Sequence, residues 1–181
     1  MDLPKVTLTT VEVVEPDERW SGMFAEAAAW LQKVFGENFV RIYHIGSTAI
    51  PGIRAKPIID MLLEVKDIEQ VDGLNEVLGE AGYGPPYGEF GLAGRRYFPR
   101  TINGRRSHNL HIYQHDNPAI VRHLAFRDYM IAHPAEAQVY SELKASLAAR
   151  FRYDFEAYMD GKDAYIKEME QRALRWWQEE R

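Results

Sequence analysis

The chain has 181 residues, 46% of them hydrophobic, and a formal charge of −5. That content suits one domain with a substantial core, and the negative balance argues against extended nucleic-acid or membrane-surface binding, which needs a broad positive field. The absence of cysteine excludes disulfides, thiolate metal sites and a cysteine nucleophile, and no apolar run approaches a membrane span. A single domain over residues 1–181, soluble and cytoplasmic, is the expectation.

Residues 6–14 are rich in β-branched types and read as an extended arm or strand. Pro16 and Asp17 then open a helix in which Trp20, Phe24, Ala27, Leu31, Val34 and Phe35 recur at helical spacing, with Gly36 as its stop. Phe39 to Tyr43 reads as a strand. Ile58 to Val65 reads as another, apolar nearly throughout and therefore covered on both faces, with Asp60 and Glu64 interrupting it. A second helix is expected from Asp67 to Gly82 through Ile68, Val71, Leu74, Leu78 and Ala81.

Arg95 to Arg100 flanks a strand that turns at Asn103-Gly104 into Ser107 to Gln114, a β-hairpin. Asn117-Pro118 starts a helix to about residue 133, and Pro134 opens the next through Tyr140, Leu143 and Leu147. A last helix is expected after Gly161, with Tyr165, Ile166, Met169, Leu174 and Trp177 buried. The fold class is therefore α/β (α+β): a short mixed sheet, helices packed on it and a helical C-terminal half.

Chemistry concentrates in two stretches. His44-Ile-Gly-Ser-Thr48 is a small-residue turn with hydroxyls, and the loop after it carries Arg54 and Lys56 before Asp60 on the strand. Backbone N–H groups of such a turn can point at an anion unobstructed, so Gly46, Ser47, Thr48 and Lys56 are candidate phosphate ligands. Asp60 and Glu64 are candidate metal ligands. Four residues on a strand span about 13 Å, so one ion reaches both only if the strand bends, and Leu62 occupies the position where a second carboxylate would fit.

The second stretch runs from Phe90 to His115, without one Asp or Glu but with Arg95, Arg96, Arg100, Arg105, Arg106, His108, His111 and His115. Arginine's planar fork suits phosphate. Anion binding by Arg95, Arg96 and Arg100 and a solvated hairpin are both open readings. Strand alternation puts Leu110 and Ile112 towards the core and His111 on the face that could carry a site, as a base or as a structural residue.

These motifs, His44 through Asp60, Asn109-Leu-His-Ile-Tyr113 and Phe126-Arg-Asp-Tyr129, resemble the GrpB-like proteins, a family placed in the nucleotidyltransferase superfamily. The resemblance implies a nucleotidyltransferase-like core in which Gly46 and Ser47 hold nucleotide phosphates and Asp60 binds Mg²⁺. His111 or Glu64 would complete the metal shell or activate an acceptor. The superfamily pairs Asp-x-Asp or Asp-x-Glu, and Leu62 departs from that pattern. Similar domains also occur fused to dephospho-CoA kinase, so a non-catalytic nucleotide- or CoA-binding module, or a partner of a metabolic enzyme, is the alternative.

Overall fold

The fold is built on one strand that is covered on both sides. In a computed structural model describing residues 10–89 and 92–180, β2 (Ile59–Val65) is buried at every position except Asp60. Its β-branched and aliphatic run leaves no solvated face, which is the signature of a central strand. It pairs antiparallel with β1 (Phe39–Ile45) and parallel with β4 (Arg105–Gln114). β4 in turn pairs antiparallel with β3 (Arg95–Ile102), giving a four-stranded mixed sheet of order β1-β2-β4-β3. Asn103 and Gly104 both take positive φ, 50° and 75°, and make the tight turn of the β3–β4 hairpin.

Side-chain alternation splits this sheet into two working faces. Met61, Leu63, Val65, Phe98, Leu110 and Ile112 pack with Trp20, Ala27, Leu31 and Phe35 of α1 (Arg19–Phe35) in one core. The opposite face presents Ile45, Leu62 and Tyr113 to Ile120 and Leu124 of α3 (Pro118–Ala132). Beyond α3, the helices α4 (Pro134–Arg150) and α5 (Phe155–Glu179) close a further cluster around Tyr129, Met130, Tyr140 and Met169. The result is a helix, sheet and helix stack. Among the described residues no helix is long and apolar enough to cross a membrane.

Two expectations are revised. The helix expected over Asp67 to Gly82 is a 3₁₀ segment, Ile68–Leu74, capped by the Asp67 carboxylate on the Glu69 amide at 3.0 Å, followed by the short α2 (Asn75–Glu80). Gly73 and Gly79 weaken a continuous α-helix there. The last helix begins at Phe155, not after Gly161, and runs through that glycine, whose missing Cβ makes room for Leu147 of α4; a Cβ there would come within 2.6 Å of Leu147 Cδ2. Of the arm expected over residues 6–14, residues 6–9 lie outside the described residues; within them Val14 forms an isolated bridge with Ala55 and the Val11 amide donates to the Arg152 carbonyl.

Leu62 is fully buried beneath α3, which tells why a carboxylate is absent from that position. Leu62→Ala is expected to cost about 2–5 kcal/mol in urea unfolding. Leu62→Asp is expected to cost more, because its carboxylate would be buried without a partner. Native-like stability in Leu62→Asp would show that this face tolerates the second carboxylate after all.

Candidate functional site

Where β2 begins, the sheet and the C-terminal helices leave a pocket of about 190 Å³. The Gly46 to Thr48 turn, Lys56, Asp60 and Asn109 enter it from the sheet side, and Tyr140, Lys144, Tyr158 and Lys162 from α4 and α5. Gly46 is required by close approach: at φ +71°, a Cβ here would stand 2.7 Å from Asp60 Oδ2. The following residues wind into one 3₁₀ turn, Ser47–Ala49, and the Thr48 hydroxyl meets His44 Nε2 at 2.8 Å. His44 itself stacks on Phe24 of α1, 4.9 Å between ring centroids, and burial pushes its pKa down to about 4.

Asp60 is the carboxylate of this pocket. Its Oδ1 accepts from Asn109 Nδ2 at 3.0 Å, and Asn109 Oδ1 accepts from the Tyr97 hydroxyl at 2.8 Å and from Arg106 Nη1 at 3.0 Å. The parallel register that sets Asp60 opposite Asn109 makes this chain of bonds possible. His111 Nε2 lies 3.8 Å from the same Asp60 oxygen. Arg95 Nη1 sits 3.3 Å from His111 Nδ1. A guanidinium only donates, so Nδ1 accepts and Nε2 carries the proton that faces Asp60. Burial raises the Asp60 pKa, but His111, Asn109 and Lys56 outweigh it and hold the carboxyl below its ordinary value.

The cations are packed on aromatic rings. Lys56 Nζ lies 5.0 Å from the Phe155 ring and 5.7 Å from Tyr158, Lys162 Nζ 5.0 Å from Tyr158, and Lys144 Nζ 4.4 Å from Tyr140. Lys144 also donates to the Arg54 carbonyl. Burial pushes Lys144 down to about 7 and Lys162 down to about 8, with mutual repulsion among the lysines adding to it and Asp60 opposing it. Lys56 shifts down for the same first reason. The Tyr158 hydroxyl is buried with no hydrogen-bond partner, a group of the kind that a ligand satisfies.

The structure thus brings together Gly46, Ser47, Thr48, Lys56 and Asp60, with His111 beside the carboxylate. It does not bring in Glu64, which lies at the far end of β2 with Oε2 3.2 Å from His115 Nδ1. A straight strand separates the two carboxylates, as its rise requires. Arg96 and Arg100 fall on the opposite face of the sheet: Arg96 grips Asp72, Nε to Oδ1 at 2.8 Å, and Arg100 donates to the Ala81 carbonyl. Arg95 is on the site's face but is spent on the Glu89 carbonyl and His111. Period-2 alternation divides any run of strand arginines in this way. Among the described residues, no group of three or more His, Asp or Glu gathers to hold a metal ion.

The sequence reading missed Tyr140, Lys144, Tyr158 and Lys162. Their signal was present as a repeated spacing, Tyr140-x-x-x-Lys144 and Tyr158-x-x-x-Lys162, which puts each ring and ammonium on one helix face. A lysine one turn from a buried tyrosine is a charge on a buried stripe.

A protein-family model described as GrpB protein matches residues 10–172. The chain belongs to the GrpB family. The Bacillus subtilis UPF0157 protein YqkA is 48% identical over 166 residues, 92% of this chain and 48% of the relative, so the chain spans about half of that protein's length. The glutamate-rich protein GrpB of Alkalihalophilus pseudofirmus is 33% identical, covering 88% of this chain and 93% of its own. The crystal structure of GrpB from Enterococcus faecalis superposes with a TM-score of 0.88 at 44% identity, over 92% of this chain and 99% of that one.

Two variants probe the packing of the pocket itself. Gly46→Ala is expected to destabilise by about 1–3 kcal/mol, from the positive φ and the collision with Asp60, read by thermal unfolding. Lys144→Met is expected to raise the melting temperature at pH 6 by about 2–8 °C, because a buried ammonium is replaced by an apolar chain. A lower melting temperature would show that the bond to Arg54 outweighs the desolvation of the charge.

Proposed function

We propose that this GrpB-family chain binds a nucleotide or another phosphate-bearing small molecule, with the phosphates in the Lys56, Lys144 and Lys162 pocket. The observation that carries the reading is the convergence of three lysines from three separate elements on one pocket that holds a single carboxylate. Mutual repulsion and burial make that arrangement costly without an anion. A phosphate would bring the lysines their counter-charge, the Tyr158 hydroxyl its acceptor, and the amides of the Gly46 to Thr48 turn a target.

The reading extends to nucleotidyltransferase-like chemistry through Asp60. Asn109 orients its oxygens and His111 presents an N–H to one of them, so the carboxylate is fixed and ionised. The donor set offers one carboxylate, which fits Mg²⁺ that arrives on the phosphates rather than a cage made by protein alone. Such an ion would supply neutralisation of charge on the phosphoryl oxygens. The lysines position the phosphates, and the packed rings exclude water from the ammonium groups. A specific observation favours the alternative of a non-catalytic nucleotide- or CoA-binding module: Glu64 faces His115 and Leu62 is core, so among the described residues no second carboxylate stands beside Asp60.

Thermal unfolding with ATP, GTP, CTP, UTP and dephospho-CoA, each with and without Mg²⁺, tests the site. A ligand at 100 times its Kd should raise the melting temperature by roughly 5–10 °C. Lys162→Met should abolish the shift. A Mg²⁺-dependent shift with consumption of a triphosphate, lost in Asp60→Ala, supports transfer; a shift insensitive to Mg²⁺ without consumption supports the binding module; no shift with any phosphate overturns the reading.

Binding should also follow pH. Lys144 near 7 and Lys162 near 8 lose their charge as pH rises, so affinity for phosphate should fall between pH 7 and 9. Calorimetry at pH 8 in two buffers of different ionisation enthalpy should report proton uptake on binding. Release of protons, or affinity flat across that range, would remove these lysines from the phosphate contacts.

A further inference from the structure

On the sheet face opposite Asp60, between α1, β3 and the segment around Tyr83 that bridges to Arg100 along the outer edge of β3, lies a second cavity of about 270 Å³. At roughly 30 Å³ for each water in the liquid, that is space for a small metabolite rather than for one or two solvent molecules. Met23 and Trp30 form apolar wall on the α1 side, and Tyr83 forms the facing wall, its ring parallel to the Trp30 indole at 5.9 Å.

The polar groups of this cavity are left incomplete. His108 is 3% exposed, its Nδ1 meets the Ser107 hydroxyl at 2.9 Å, and its Nε2 makes no well-aligned hydrogen bond among the described residues, though the Met23 backbone acts on the ring. The Tyr83 hydroxyl, in a residue 1% exposed, makes no well-aligned hydrogen bond among the described residues and has the Arg100 guanidinium as its polar neighbour. Both line the cavity. Burial first, and then the Arg100 guanidinium, push His108 down to about 4 against the opposing pull of the Met23 backbone and Glu26, so the imidazole is neutral. It offers a hydrogen bond without a charge. Native interiors satisfy nearly all such buried groups, and two in one cavity mark a place where a bound molecule supplies the missing partners.

Two charges of opposite sign flank them. Arg100 spends its Nε on the Ala81 carbonyl and lies 5.0 Å over the Tyr83 ring, while Glu26, exposed on α1, stands at the rim with no ion pair among the described residues. Both line the cavity, and they do not pair with each other within 4.0 Å. A cation and an anion held apart across a cavity match a ligand that carries both signs.

We propose that this cavity is a binding site for a small zwitterion, an α-amino acid with an apolar side chain. Its carboxylate would face the Arg100 guanidinium and the Tyr83 hydroxyl. Its ammonium group would face Glu26, and its side chain would lie along Met23 and Trp30. The site is separate from the Asp60 pocket and stands whether or not that pocket takes phosphate, because no residue lines both.

The test is titration of ¹⁵N-labelled protein with the proteinogenic amino acids, following the Trp30 indole N–H resonance and confirming affinity by calorimetry. At least one apolar amino acid should bind saturably. Its amide and its decarboxylated amine should each bind roughly ten- to hundredfold more weakly, since each lacks one charge-assisted contact. Glu26→Gln and Arg100→Gln should weaken the amino acid to the same degree, and inorganic phosphate should not displace it. Should Arg100→Gln fail to fold, Glu26→Gln, on the exposed surface of α1, still decides. No binding up to about 10 mM, beyond the weak end of specific recognition, overturns the proposal, as does binding that survives loss of either ligand charge or of Glu26.

Discussion

The parallel pairing of β2 with β4 is the constraint from which the rest follows. It puts Asp60 level with Asn109 and Leu62 level with His111, so one register decides which polar side chains meet and which hydrophobic ones face α3. A shift by one residue would turn Asp60 into the α1 core and Met61 out of it. β2 tolerates no such slip, because both of its faces are already covered. The hairpin partner β3 then inherits its alternation from β4, which is why Arg95 stands beside His111 while Arg96 and Arg100 look the other way.

Against this rigid sheet, the helical layer contributes the charge. A sheet strand at the centre of a stack can carry one carboxylate at its end, where the layer opens, but cannot carry three ammonium groups. Those come from the loop after the Gly46 turn and from the faces of α4 and α5 that meet over it. Resting each ammonium on an aromatic ring keeps it partly compensated. The compensation is incomplete, as the lowered affinity of Lys144 and Lys162 for protons shows.

Much of this was legible in the sequence, and the limits have physical causes. The unbroken apolar run of β2, the Asn103-Gly104 turn and the Pro-headed helices α3 and α4 are local signals, and each element lies where those signals put it. Gly161 misled because a glycine inside a helix and a glycine ending one look alike until the neighbour that needs the space, here Leu147, is known. The arginines of β3 and β4, clustered in sequence, left anion binding and a solvated hairpin both open, because a strand deals its residues alternately to two faces. Conversely, Lys144 and Lys162 were hidden because they belong to helices more than eighty residues away from Gly46 in the chain, and only the tertiary packing of α4 and α5 joins them to it.

The close approach of α4 to α5 at Gly161 has one more consequence. With Leu147 seated in the gap that the glycine leaves, the two helices stand near enough for Lys144 and Lys162 to repel each other across it. The packing that glues the helices and the charges that push them apart thus act on the same seam. An anion bound between the ammonium groups, as proposed, would become a third member of that seam, tying two helices to the sheet like a rivet. On the proposed reading the ligand would be a piece of the architecture as much as its guest: repulsion between Lys144 and Lys162 loads the α4–α5 seam, and a bound anion would relieve it.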